Sequence, residues 1–116
     1  MNGQRPVIGI TMGDPAGNGP EITIKALAHF DLYKRCSPIV IGDAKILEQA
    51  AYLVGRDDIK INRCQSIGDA LYNPGIIDVL HLELIPDVSA FALGEISIAG
   101  GNAAFQCVRK VIELAL

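Results

Sequence analysis

Residues 11–21 read Thr-Met-Gly-Asp-Pro-Ala-Gly-Asn-Gly-Pro-Glu, a run that gathers three glycines, two carboxylates and a carboxamide. Lacking Cβ atoms, Gly13, Gly17 and Gly19 let the backbone come close to an anion or a flat ring. A helix starting at Pro20 would add unpaired N–H donors and positive potential. Two phosphate-binding patterns are nevertheless absent. No Lys follows Gly19, so the run is not G-x-x-x-x-G-K-[ST]. Ile22 stands where G-x-G-x-x-G needs its third glycine. A ligand-facing loop and a tight structural turn therefore both fit these residues. Asp14 fits a ligand hydroxyl or cation as well as an Asx-turn holding Pro15. Glu21 reads as a first-turn residue favoured by the helix dipole more than as a catalytic base.

A second cluster runs from Gly94 through Ser97 to Gly100, Gly101 and Asn102. With Asn102 as an N-cap, the glycines would offer free N–H groups at a helix start or serve as a flexible entry turn. Cys36, Cys64 and Cys107 form no C-x-x-C pair, which excludes a zinc ribbon and a thioredoxin-like redox motif. They read as reduced, mostly buried thiols of a cytosolic protein. His29 and His81 have no Cys or acidic partner at ligand spacing, so each reads as structural or surface. No complete metal site is visible, and no residue is assigned a catalytic role.

The elements that must position these residues alternate. A β-branched run at 6–11 predicts a buried strand ending in the glycine loop. Pro20 and Glu21 open a helix, with Ile22, Ala26 and Phe30 recurring beside Thr23 and Leu27 as its apolar stripe. A second strand is expected at 38–42. Asp43 then caps a helix with Leu47, Ala50, Ala51 and Val54 on one face, stopped by Gly55 and followed by the solvated turn Arg56-Asp57-Asp58. Residues 60–64 suit a short strand, Asn73-Pro-Gly75 a turn, and 75–84 an apolar strand. A last helix follows Asn102, with Ala104, Cys107, Val108, Val111, Ile112 and Ala115 at helical spacing. Strand, loop and helix in alternation predict an α/β fold with a mainly parallel sheet and helices on both faces. The apolar finish at Leu116 leads us to expect a truncated chain.

Composition narrows the classes. The 116 residues carry 10 Lys+Arg against 13 Asp+Glu and are half hydrophobic, the balance of a globular domain. A net charge of −3, 5% aromatics and no Trp argue against a nucleic-acid surface. No apolar run approaches the roughly 20 residues of a membrane span. The polar start, Met-Asn-Gly-Gln-Arg-Pro, lacks the apolar core of a secretion signal. A cytoplasmic protein without membrane or nucleic-acid partners is expected.

The run at 11–21, continued by Lys25-Ala26-Leu27, resembles the opening of the 4-hydroxythreonine-4-phosphate dehydrogenase family, which includes threonate and erythronate 4-phosphate dehydrogenases. Gly94 and Ser97 followed by Gly100-Gly101-Asn102-Ala103-Ala104-Phe105 resemble that family's G-x-x-S-x-x-G-x-x-A segment, running into a helix that ends Ile-Glu-Leu-Ala. The two matches lie at opposite ends of the chain and in the family's order. Asn18 departs from the apolar residue usual there.

The resemblance implies a cytoplasmic homodimer with two α/β domains around a cleft, similar in fold to isocitrate and isopropylmalate dehydrogenases. It further implies dependence on NAD or NADP and on a divalent metal. The secondary alcohol of a small, four-carbon, 4-phosphorylated hydroxy acid would be oxidised, and the β-keto acid would then lose CO2. The metal would steady first the alkoxide and then the enolate. By similarity to the isopropylmalate enzyme's loop, Gly13, Asp14, Gly17, Asn18 and Gly19 would contact the cofactor. The family's metal-binding histidines and substrate-gripping basic residues lie in segments beyond residue 116, so the resemblance implies that residues 1–116 are a single N-terminal α/β segment of a longer two-domain enzyme, inactive alone. His29 and His81 match no family motif. Two other readings remain: a phosphate acyltransferase of similar fold, which needs neither NAD nor metal, and a non-catalytic binding module.

Overall fold

A computed structural model describes residues 5–13, 17–82 and 98–115, the last helix by its backbone alone over 98–104 and at 115. Runs rich in Val and Ile form Val7–Thr11 (β1), Ser37–Gly42 (β2) and Ile76–His81 (β4), and the more polar Lys60–Cys64 forms β3. Between and after them stand the helices Gly19–Leu27 (α1), Ala44–Leu53 (α2) and Ile98–Ala115 (α3). Two short 3-10 helices, Phe30–Lys34 and Ile67–Asp69, were not anticipated from the sequence. The strand expected at 75–84 closes at His81, and its Leu84 lies outside the described residues.

All four strands pair in parallel, in the order β1-β2-β4-β3. Register sorts their side chains onto two faces, because partners in a parallel pair point the same way. Gly9 stands beside Ile39, Ile41 beside Leu80, and Asn62 beside Asp78. That face carries α3: a Cβ on Gly9 would lie 3.7 Å from both methyls of Val111. Val40, Val79 and Arg63 occupy the other face, where Arg63 reaches Glu48 of α2 at 3.1 Å. Helix α1 packs on α2 in the same layer. The predicted α/β fold, with a parallel sheet and helices on both faces, is what the chain forms.

Each helix follows its local chemistry. Asp43, in an extended conformation, accepts the Lys45 N–H at 3.0 Å and so caps α2. Gly55 takes φ +75°, the left-handed position that stops the helix. Pro20 in the first turn of α1 gives up an N–H that had no partner.

Three sequence expectations need correction. The buried stripe of α1 is Pro20, Thr23, Ile24 and Leu27, while Ile22, Ala26 and Phe30 are exposed. Both sets recur at helical spacing, and contact with α2 selects the first. Strand β1 is an edge strand, so Val7 and Ile8 are 51% and 45% exposed and not buried. Asn102 does not cap α3, which begins four residues earlier at Ile98. Along that helix Cys107 is fully buried, whereas Val108 and Ile112 face outward.

Candidate functional site

The carboxyl ends of β1, β2 and β4 form one edge, and chain directions there diverge. β2 leads to α2 on one face of the sheet, whereas the helix that follows β4 lies on the other. In parallel α/β sheets such a divergence opens the crevice in which ligands bind. Beside it runs the glycine-rich connection from β1 to α1.

That connection is held tightly where it is described. Met12, fully buried, donates its N–H to the Ile41 carbonyl at 3.1 Å, extending the β1–β2 ladder. Gly13 has φ +80°, a conformation that side chains disfavour. A Cβ on Gly19 would overlap the Met12 carbonyl oxygen, so α1 starts against that backbone only because residue 19 is glycine. Gly42 makes the matching concession from β2, since a Cβ there would sit 2.7 Å from Cβ of Met12.

Helices α1 and α2 both begin at this edge and differ in how their starts are capped. At α2, Ala44 N–H donates to Nδ1 of His81 at 3.0 Å and Lys45 N–H to Oδ1 of Asp43 at 3.0 Å. Ile46 N–H reaches the Asp43 carbonyl at 3.1 Å, so that terminus is closed by the protein itself. At α1 the residue in the cap position, Asn18, has helical φ −88° and ψ −11° and makes no side-chain cap bond. Gly17 and Asn18 are both exposed. The exposed Asn18 thus leaves a carboxamide that caps nothing at the start of α1, an arrangement that suits an incoming anion. Gly13, Gly17, Asn18 and Gly19 lie on the two sides of the β1–α1 connection, and Asp14 lies outside the described residues, as do Gly94 and Ser97.

Other groups are structural. Asp78, 1% exposed, accepts from Asn62 Nδ2 at 2.8 Å, Leu71 N–H at 3.0 Å and Tyr72 N–H at 2.8 Å. It pins the 71–72 segment, where Tyr72 holds φ 53°, onto the α3 face of the sheet. Burial pushes the Cys107 thiol up to about 11 and the Tyr33 hydroxyl up to about 12. All three cysteines are free and buried, as expected. His29 is exposed. His81 has the structural role anticipated for it, but at the ligand edge. Its place as the polar end of an apolar strand was the available signal for that location.

An apolar cavity of about 230 Å³ lies on the α3 face of the sheet, between Val7, Ile39 and Ile41 of the strands and Val111 and Leu114 of α3. The cleft beside Gly17 between α1 and α2 holds about 10 Å³, room for roughly one water. Among the described residues no group of three His, Cys, Asp or Glu is placed to hold a metal ion. None of the described helices is long and apolar enough to cross a membrane.

The same frame exists in known proteins. A crystal structure of a 4-hydroxythreonine-4-phosphate dehydrogenase from Burkholderia phymatum superposes with a TM-score of 0.90 at 47% identity, over 97% of this chain and 33% of that one. Over nearly its whole length this chain is similar to a third of proteins named 4-hydroxythreonine-4-phosphate dehydrogenase or D-threonate 4-phosphate dehydrogenase. A second such structure, from Klebsiella pneumoniae, superposes with a TM-score of 0.84 at 33% identity, over 99% of this chain and 34% of the other. The D-threonate 4-phosphate dehydrogenase of Cupriavidus necator is 42% identical over 114 residues, 98% of this chain and 33% of its own length. No protein-family model matches. The chain spans about a third of the length of the curated relatives it matches.

Proposed function

We propose that this chain is the nucleotide-side wall of a dehydrogenase acting on a four-carbon, 4-phosphorylated hydroxy acid such as 4-phosphohydroxythreonine or threonate or erythronate 4-phosphate. The observation that carries this reading is the open start of α1 behind Gly13, Gly17 and Gly19, in a chain whose relatives are named as such dehydrogenases. The donor set suits a pyrophosphate. N–H groups of Gly17, Asn18 and Gly19 would bind its oxygens, and Asn18 would add a carboxamide that neither caps the helix nor is buried. Asp14 belongs to the same proposed contact set. When bound, NAD or NADP supplies the hydride acceptor. This chain's part is to hold the nucleotide in register with the sheet edge.

The described residues do not fit a divalent metal. Any metal ligands, and the groups that would grip the phosphorylated acid and promote decarboxylation, belong in this reading to sequence outside residues 1–116. The homodimeric state and a cytoplasmic location are part of the same proposal. So is the inactivity of the 116-residue chain alone.

The test is spectrophotometric. A protein extended to the relatives' full length should reduce NAD or NADP when given a divalent cation and D-threonate or 4-hydroxythreonine 4-phosphate. The 116-residue chain should give no NADH or NADPH absorbance under the same conditions. An extended protein silent towards every such phosphate, or a robust signal from the short chain, defeats the corresponding part.

A further inference from the structure

Between β3 and β4 the chain crosses the α3 face of the sheet as residues 65–75. Its fastening is concentrated at one spot. The buried Asp78 of β4 accepts the Leu71 and Tyr72 N–H groups at 3.0 and 2.8 Å. Asn62 of β3 donates from Nδ2 both to that carboxylate at 2.8 Å and to the Asp69 carbonyl at 3.2 Å. Ile67, Ala70 and Tyr72 add half-buried contacts with the core. Each end of the segment turns on its own residues. Asp69 accepts the Gln65 and Ser66 N–H groups, and Gly75 leaves with φ +87°.

Two features oppose this fastening. Tyr72 holds φ 53°, a backbone conformation that bulky side chains disfavour. Its hydroxyl is buried without a hydrogen-bond partner. Lifting the segment relieves both, since a free Tyr72 regains ordinary dihedrals and a hydrated hydroxyl.

Beneath the segment lies Cys64, 1% exposed and on the same face as Asn62. Burial first, then the Asp78 and Asp69 charges, pushes its thiol pKa up, and the Tyr72 hydroxyl feels the same thiol. Ile67 also closes one side of the apolar cavity, opposite Val111 and Leu114. We propose that residues 65–75 are a strap, fastened at Asp78, that opens as one unit while the parallel sheet stays paired. The β3–β4 register, Lys60–Cys64 against Ile76–Leu80, includes no residue of the strap and outlasts its opening. Opening bares Cys64 and parts the cavity wall at Ile67, so the α3 face admits solvent without unfolding.

Amide exchange by NMR on the 116-residue chain, paired with iodoacetamide labelling of Cys64 read by peptide mass, tests the strap. Protection of the Leu71 and Tyr72 amides and of the Cys64 thiol is taken relative to the unfolded chain. The three values should agree within about threefold and lie about tenfold or more below that of the Val40 amide in β2. Urea below the unfolding transition should lower Val40 protection steeply and the strap values little, because strap opening exposes little surface. Tyr72→Phe takes the unpaired hydroxyl out of the closed strap, so all three values should rise severalfold. Strap values equal to that of Val40, or an equally steep urea dependence, overturn the proposal. So does a Cys64 protection that departs from those of Leu71 and Tyr72, or no rise in Tyr72→Phe.

Discussion

A methyl group placed on Gly19 would overlap the carbonyl oxygen of Met12, and backbone cannot step aside as a side chain can. Gly19→Ala should therefore lower unfolding stability by about 1–3 kcal/mol in urea titrations. Tyr72 makes the opposite case. Its hydroxyl is buried without a hydrogen-bond partner, and a desolvated, unpaired hydroxyl costs about 1–3 kcal/mol. Tyr72→Phe should raise the melting temperature; a drop would mean that the hydroxyl has a partner in solution. Asp78→Ala should cost about 3 kcal/mol, because three N–H groups lose one buried acceptor together. The glycine loop and the Asp43 cap could be read from the sequence because both act within a few residues of themselves. The Asp78 cluster and the His81–Ala44 bond could not. Each joins residues that only strand pairing brings together, and nothing in an alternating pattern says which polar residue of a strand will face inward.

At the scale of elements, every predicted strand and helix is present, and the errors concern the start of α3, the end of β4 and which face an element buries. Ile22 and Ile24 lie in the same turn of α1 and are equally apolar, so periodicity alone could not tell the inner one from the outer. The same ambiguity misled the reading of α3, where Cys107 faces the sheet and Val108 does not. Cys107 also sets a pH limit on that helix. Burial first, then the Asp43 charge, raises its thiol from 9.0 to about 11. Burial likewise raises Tyr33 from 10.0 to about 12. For a raised pKa, the stabilising contribution is complete below the unfolded value and is lost as pH climbs through the folded one. Urea midpoints should therefore hold steady up to about pH 9 and fall between about pH 9 and 12. Cys107→Ala should remove the earlier part of that fall. An unchanged profile in that variant would move the limit to other groups.

The two borders of the whole sheet are built differently. β3 shows charge to solvent, with Lys60 and the Arg63–Glu48 pair along it, a common guard against edge-to-edge association. β1 offers Val7 and Ile8 instead. Ile8→Lys should reduce any concentration-dependent association seen by light scattering, at a stability cost within about 1 kcal/mol. The sheet's parallel character was legible in the alternation of strands and helices. Its strand order was not, because the chain reaches β3 before returning to fill the place between β2 and β3 with β4.

That order also sets a timetable for folding. With no hairpin among the described strands, each of their pairings must wait for a loop to close, and closure is slower the more chain it spans. Lys60 meets Ile76 across a short stretch, whereas Val7 must find Ser37 and Val40 must find Val79. The β3–β4 pair, steadied by the Asn62–Asp78 bond, is the natural nucleus.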